Sequence, residues 1–337
     1  MSAPPPAFVE LAAMARAYQR SRALAVAAEL GIADLLADGE RGVDALAAAT
    51  GTHAPTLYRL LRALASVHVL FEDANRQFRL TAMGEHLCSD HPLSVEPVVK
   101  MFCSDHEWQA WGELMHGVRT GENAAVHALG VDVWEHRRQH ADASDVFDAA
   151  MRTFTRSSAP GEIAAYDFGR HGVIADVGGG SGAMVATILR ACPHVRGILF
   201  DQPDVVVGSA EVLANAGVAD RVEVVAGSFF EVVPGGADAY LLRRVLHDWP
   251  DRECGLILQQ IRDVIPADGH LIVIDAVVGA PNEDPLVKFL DLMMLVSAGG
   301  KERTEPEWID LLAAGGFRLE HIARGSANSH VLDASPA

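Results

Sequence analysis

Cysteine and positive charge are both scarce in this 337-residue chain. Its four cysteines, Cys88, Cys103, Cys192 and Cys254, lie far apart, with no C-x-x-C pair and no zinc-type spacing. That excludes a disulfide framework and a cysteine metal centre, and leaves reduced thiols as the expectation. Lys and Arg number 27 against 45 Asp and Glu, a formal net charge of −18. Binding along a phosphate backbone needs clustered cations, so no nucleic-acid partner is expected. A long apolar run at the start is missing too. Met1-Ser2-Ala3-Pro4-Pro5-Pro6 has neither a basic n-region nor an apolar core, so we expect no signal peptide, no membrane partner and a cytoplasmic location.

What is present is a core-building composition: 50% of residues are hydrophobic and 21% charged, which fits a soluble globular protein. The length favours two domains. Leu11 to Leu36 carries apolar residues at helical spacing, interrupted at Gly31. Val43–Ala49 and Pro55–Ser66 follow as helices, the latter with Leu57, Leu60, Leu61 and Leu64 on one face. Val69–Phe71 and Phe78–Leu80 then read as strands around the polar turn at Asp73–Arg76. Helix, turn, helix, hairpin is the outline of a winged helix. From Trp108 to about Ser158 the pattern is again helical. After Gly172 short apolar runs alternate with helical segments: Val173–Val177, Ile198–Phe200, Val222–Val225, Ala239–Leu242 and Leu271–Ile274. That alternation implies a mostly parallel, doubly wound α/β sheet, with Phe317–Ile322 and Ser329–Leu332 as a terminal hairpin. The resulting boundaries are 1–100, 101–160 and 161–337.

The strand Val173–Val177 runs into Gly178-Gly179-Gly180-Ser181-Gly182, and a helix opens near Ala183. Glycines there allow a sharp turn and close approach to a ligand, and the helix start presents free N–H groups. Asp201, 19 residues beyond Gly182, ends the next strand, where an acid can accept both hydroxyls of a ribose. An adenosine-containing cofactor follows. Spacing alone leaves NAD and S-adenosylmethionine both open, because Gly178-x-Gly180-x-x-Ala183 also satisfies the dinucleotide fingerprint. The mid-chain position, Asp176 at the strand end and the lack of hydride-transfer machinery downstream disfavour NAD.

Further segments follow in order: Phe200-Asp201-Gln202-Pro203, Leu246-His247-Asp248-Trp249-Pro250-Asp251 and Gly299-Gly300-Lys301-Glu302-Arg303-Thr304. With the glycine loop, this set resembles the caffeate-type small-molecule O-methyltransferases, including bacterial members that decorate aromatic natural products. The resemblance spans nearly the whole chain. It implies an α/β Rossmann-like methyltransferase sheet at 161–337, an N-terminal all-α winged-helix dimerisation domain at 1–100, a helical linker at 101–160 contributing to the substrate pocket, and a homodimer. It further implies S-adenosyl-L-methionine as cofactor, contacted by Gly178, Gly180, Asp201, Gln202, Ser228, Phe229 and Arg243. His247 becomes the catalytic histidine, flanked by Asp275 and Glu302. Three positions depart from the commoner pattern. Ser228 replaces an acid, Arg243 a lysine, and Asp275 a longer glutamate.

The residue types suit that chemistry. A phenol has a pKa of about 10, so a nearby base helps to generate the phenolate. His247 follows Ala239–Leu242 at the C-terminal rim where open α/β sheets place ligands. A carboxylate on one imidazole nitrogen fixes the tautomer and stabilises the imidazolium. Trp108, Trp111, Phe147, Met151, Phe154 and Met293 are candidates to line an apolar slot for an aromatic substrate, though residues of this kind at helical spacing also build plain core. The remaining histidines lack ligand spacing, and no metal is expected. Two other readings stay open: a cofactor-retaining relative performing N-methylation, hydroxylation or decarboxylation, and a winged-helix regulator using Pro55–Ser66 with Arg59 and Arg62.

Overall fold

The computed structural model describes residues 6–326 and 328–337. The signal-peptide reading rests mainly on residues 1–5, which lie outside the described residues. The chain divides into two compact units, Met1–Trp108 with Asp142–Thr153, and Gln109–Ala141 with Phe154–Ala337, so residues 101–160 are distributed over both.

The first unit is mainly helical. Helix Ala54–Ala65 buries Leu57, Leu61 and Leu64, one stripe at i, i+4 and i+7, against Ile32, Leu36, Leu46 and Phe78. Each such leucine contributes about 1.5–3 kcal/mol by leaving water. Arg59 and Arg62 are exposed, and the Arg62 guanidinium lies 5.6 Å from the Tyr58 ring centre. Three antiparallel strands, β1 (Arg41–Gly42), β2 (Leu70–Glu72) and β3 (Gln77–Leu80), pair in the order β1-β3-β2. Strands β2 and β3 pair as the expected hairpin. Strand β1, two residues long, escaped the sequence reading because it exists only through its pairing. Helix Pro6–Met14 buries nothing in this unit: Phe8, Leu11 and Met14 are 64%, 69% and 62% exposed.

The second unit is built on seven strands: β4 (Val173–Val177), β5 (Arg196–Asp201), β6 (Val222–Ala226), β7 (Ala239–Arg243), β8 (His270–Asp275), β9 (Phe317–Arg324) and β10 (His330–Pro336). Their order is β6-β5-β4-β7-β8-β10-β9, with β10 antiparallel to both neighbours and the first five strands parallel. Alternate residues serve opposite faces. Ala175, Val177, Tyr240, Leu242, Leu271 and Val273 pack on one side with Ile257, Ile261 and Trp308. Ile174, Ala239, Leu241, Ile272 and Ile274 pack on the other with Val185, Ile188 and Leu189. Two covered faces explain why these strands read as continuous apolar runs. The order reverses between β4 and β7, so the loop after β4 opens at the switch point, where such sheets bind ligands.

One element overruns its expected end. Helix Ala141–Ala164 continues through Pro160 instead of stopping near Ser158. The last turns are held from outside, by hydrogen bonds from Arg243 to Ser158 and Glu162, and those contacts offset the intrahelical bond that a proline forgoes. Among the described residues no helix is long and apolar enough to cross a membrane.

Candidate functional site

The loop after β4 turns through left-handed backbone at Gly178, Gly180 and Gly182, with φ of 72°, 60° and 81°. Side chains rarely adopt such values, which is why glycine recurs there. A Cβ on Gly178 would press within 2.8 Å of Val245 and meet Phe229 at 3.5 Å, whereas one on Gly180 would meet nothing within 4 Å. The loop is therefore closed inward and open on its outer side. Asp201, at the end of β5, accepts the Gly180 N–H at 2.8 Å through one oxygen and the Gln202 N–H at 2.7 Å through the other. Phe229 stacks edge-on to Phe230 and Trp249, centres 4.8 and 6.2 Å away. Four expected cofactor residues, Gly178, Gly180, Asp201 and Phe229, thus meet at one sheet rim. Gln202 caps helix Pro203–Val206 with its backbone, and the Ser228 hydroxyl accepts the Phe230 N–H at 3.3 Å.

Arg243, expected near the cofactor, is anchored to the long helix. Its guanidinium donates to Glu162 at 2.8 Å, to Thr155 at 3.1 Å and to Ser158 at 2.7 Å, and the Glu162 side chain is fully buried. Arg243 is a strut between β7 and helix Ala141–Ala164. It also pulls on Asp176, inside β4, whose carboxyl burial nevertheless pushes up to about 7.

His247 sits in the one-turn helix Leu246–Asp248 directly after β7 and is buried. Its Nδ1 lies 2.7 Å from Glu302 Oε1 and 3.4 Å from Asp275 Oδ1, and its Nε2 lies 3.5 Å from Asp248 Oδ1. Asp275, shorter than the glutamate it replaces, still approaches the same nitrogen as Glu302, at the longer distance. Burial disfavours the imidazolium, but Asp275, Asp248 and Glu302 outweigh it and raise the imidazole to about 10. Burial likewise raises Asp248 to about 6, against the pull of His247. Asp275 is raised by burial as well, with Arg244, 3.9 Å away, opposing. One ligand atom each from His247, Asp275 and Glu302 lie within 4.8 Å of one another, close enough to hold a cation also. Linear spacing could not reveal that cluster. The His247–Glu302 contact itself has hydrogen-bond geometry.

A glycine loop clasped by an acid shares one sheet rim with a buried, acid-flanked histidine, and comparison with known proteins gives this arrangement a family. A family model described as the O-methyltransferase domain matches residues 111–318, and one described as the O-methyltransferase dimerisation domain matches residues 12–90. The chain belongs to the O-methyltransferase family. It is 39% identical to the phenazine O-methyltransferase PhzM of Lysobacter antibioticus, covering 96% of this chain and 94% of that one. It is 40% identical to the 8-amino-8-demethylriboflavin N,N-dimethyltransferase of Streptomyces davaonensis, over 93% of this chain and 92% of the relative. Its structure superposes with TM-score 0.82 and 32% identity on the O-methyltransferase NcsB1 of neocarzinostatin biosynthesis, crystallised with S-adenosyl-L-homocysteine and 1,4-dihydroxy-2-naphthoic acid, covering 94% and 96% of the two chains.

In this methyltransferase the six aromatic and methionine candidates are divided evenly between the two units. Trp108, Phe147 and Met151 belong to the first unit and are half-buried. Trp111 and Met293 are half-buried in the second unit, and Phe154 is exposed there. Trp111 packs on Ala110, Ala124 and Val296. Nothing in the sequence around Trp134 marks it for a role, yet its ring stacks on Trp249 at 6.0 Å and 19°. Asp248, Gly300 and Arg303 stand out in the sequence only as members of their motifs. A second acid beside a rim histidine was a usable signal; the Arg303 contacts, up to 57 residues away in sequence, were not.

Proposed function

We propose that this methyltransferase transfers a methyl group from S-adenosyl-L-methionine to a hydroxyl of an aromatic small molecule of the secondary-metabolite class, with His247 as general base. The observation that carries the reading is the buried imidazole at the C-terminal end of β7, oriented through Nδ1 by Glu302 at 2.7 Å. Gly178 and Gly180 backbone, Asp201 at the ribose and Phe229 at the adenine would hold the donor. When bound, it would supply an electrophilic methyl on a sulfonium that leaves as a neutral thioether. The acceptor proton passes to His247 Nε2, while Nδ1–H donates to Glu302 and the carboxylates stabilise the imidazolium. Alignment of the acceptor oxygen with the methyl carbon supplies much of the remaining acceleration.

The enzyme works as a homodimer, supported by the unpartnered apolar helix Pro6–Met14 and by the match to a dimerisation domain. A nitrogen acceptor is the second reading, favoured by the N,N-dimethyltransferase relative. An amine loses its proton readily once methylated, so a base matters less there. The test is formation of S-adenosylhomocysteine with a panel of phenols, hydroxynaphthoates, hydroxyphenazines and matching anilines, using wild type and His247→Asn. Turnover of phenols that collapses in the variant supports the reading. Phenol turnover untouched by His247→Asn overturns the base, and turnover of anilines alone overturns the acceptor.

A further inference from the structure

The turn that carries His247 is clasped from one side by the segment 300–303. A Cβ on Gly300 would overlap the His247 carbonyl oxygen and the Asp248 carbonyl carbon, and would come within 2.6 Å of the Trp249 nitrogen. Gly299, its neighbour, has φ of 85°, but Gly300 is not among the positive-φ residues. Gly300 is thus required for close approach, not for backbone freedom. Two residues later Glu302 holds the imidazole itself.

Arg303 completes the clasp. Its Nη1 donates to the Leu246 carbonyl and its Nη2 to the Trp249 carbonyl, both at 3.0 Å, on either side of His247-Asp248. Nε and Nη2 reach Asp251 at 3.1 and 2.8 Å. The Arg303 side chain is fully buried, with the Trp308 ring 5.3 Å from its guanidinium carbon. A buried cation is tolerated only where its donors are satisfied. Here they are satisfied by the backbone of the histidine turn and by the acid that follows it.

We propose that Gly300 and Arg303 are positioning residues for His247, fixing how deep the 246–249 turn sits against Glu302 and hence the Nδ1–Glu302 bond. The proposal rests on the reading of His247 as the base, and acts through it. The backbone contacts set the turn, the turn sets the imidazole, and the bond to Glu302 sets its readiness to take a proton. A misplacement of about 1 Å can lower a rate by about a hundredfold.

The experiment compares wild type, Gly300→Ala, Arg303→Lys, Glu302→Gln and the double variant Gly300→Ala/Glu302→Gln, with folding checked by thermal melts. Nuclear magnetic resonance of labelled imidazole reads the His247 titration without turnover, and kcat and KM are measured with S-adenosylmethionine and the best phenol of the panel. Gly300→Ala is expected to lower kcat by about tenfold to a hundredfold, to leave the KM for S-adenosylmethionine within about twofold, and to move the imidazole titration downward. On top of Glu302→Gln it should add almost nothing, because both changes break one linkage. A folded Gly300→Ala enzyme with unmoved titration, or a full additive loss in the double variant, overturns the proposal. If Gly300→Ala does not fold, Arg303→Lys decides: it keeps a cation for Asp251 but cannot span both carbonyls, and an unchanged titration there is equally fatal. Failure of the base reading is seen separately, as phenol turnover that survives His247→Asn.

Discussion

Asp248→Asn removes one charge beside His247 and almost no volume, which makes its effect calculable. In the folded protein Asp248 Oδ1 lies 3.5 Å from Nε2, the nitrogen proposed above to receive the acceptor proton. Two unit charges at that distance interact by roughly 4–5 kcal/mol at an effective dielectric constant near 20. Measured displacements by one neighbouring carboxylate are smaller, about one to three pH units. His247, raised to about 10, should therefore titrate lower by about that range in the variant, with Asp275 and Glu302 still holding it up. The sign follows from which form each state prefers. A raised imidazole keeps its proton until pH climbs through its folded value, and losing an anion lets that proton leave earlier. Asp248 itself loses its proton near 6, so wild type and variant should coincide below that pH and diverge only between it and the His247 value. The assay is the pH dependence of kcat/KM, whose ascending limb should move acidward, together with the imidazole titration. The bound donor adds a like charge at the rim, so the kcat limb should lie below the kcat/KM limb in wild type. A folded, active Asp248→Asn enzyme whose limb stays where the wild-type limb lies would refute the reasoning.

Asp176→Asn keeps an oxygen for the Val185 N–H, 3.2 Å away in wild type, but cannot ionise. Since burial holds the carboxyl protonated up to about 7, well above its unfolded value, wild-type stability falls as pH rises across that interval. Thermal melts should show the variant gaining on wild type from about pH 4 to 7, by at most about 1.4 kcal/mol per pH unit; a constant difference would contradict the assignment. Leu11→Glu, on a helix that buries nothing in its own unit, should leave the monomer's melt nearly unchanged while light scattering shows the dimer lost. A dimer of unaltered mass would place the interface elsewhere. A chelator, or added divalent cation, should leave turnover within about twofold, because His247 Nδ1 is committed to a hydrogen bond with Glu302; a chelator-sensitive enzyme would reassign the cluster to a metal.

The centre of the sheet was legible because strands β4, β5, β7 and β8 are covered on both faces. The run Val173–Val177 was read with the limits the structure gives it, and Leu271–Ile274 lacked only one residue at each end. Thr304 and Glu307 form a capping box, Thr304 N–H to Glu307 at 2.8 Å and Glu307 N–H to Thr304 at 3.4 Å, a signal that lies within one turn and so can be read from local sequence. Contacts between distant segments were not legible from pattern. Arg243 and Glu162 are 81 residues apart, and nothing in either local sequence announces that the arginine is a strut. His247 and Glu302 were joined only through family resemblance, because a histidine and an acid separated by 55 residues carry no periodic signal. Gly300 reads like any loop glycine, since its function lies in a missing atom pressed against another segment.

The bond between Asp201 and the Gly180 amide carries a consequence for how the donor arrives. Because the acid tethers the loop at 2.8 Å from its own strand, the turn is assembled in advance, and docking need not order a floppy segment. Preorganisation of this kind removes an entropic penalty from association. Donor capture should then behave as a single-step collision, with an observed rate rising linearly with concentration and no saturation to betray a slow isomerisation.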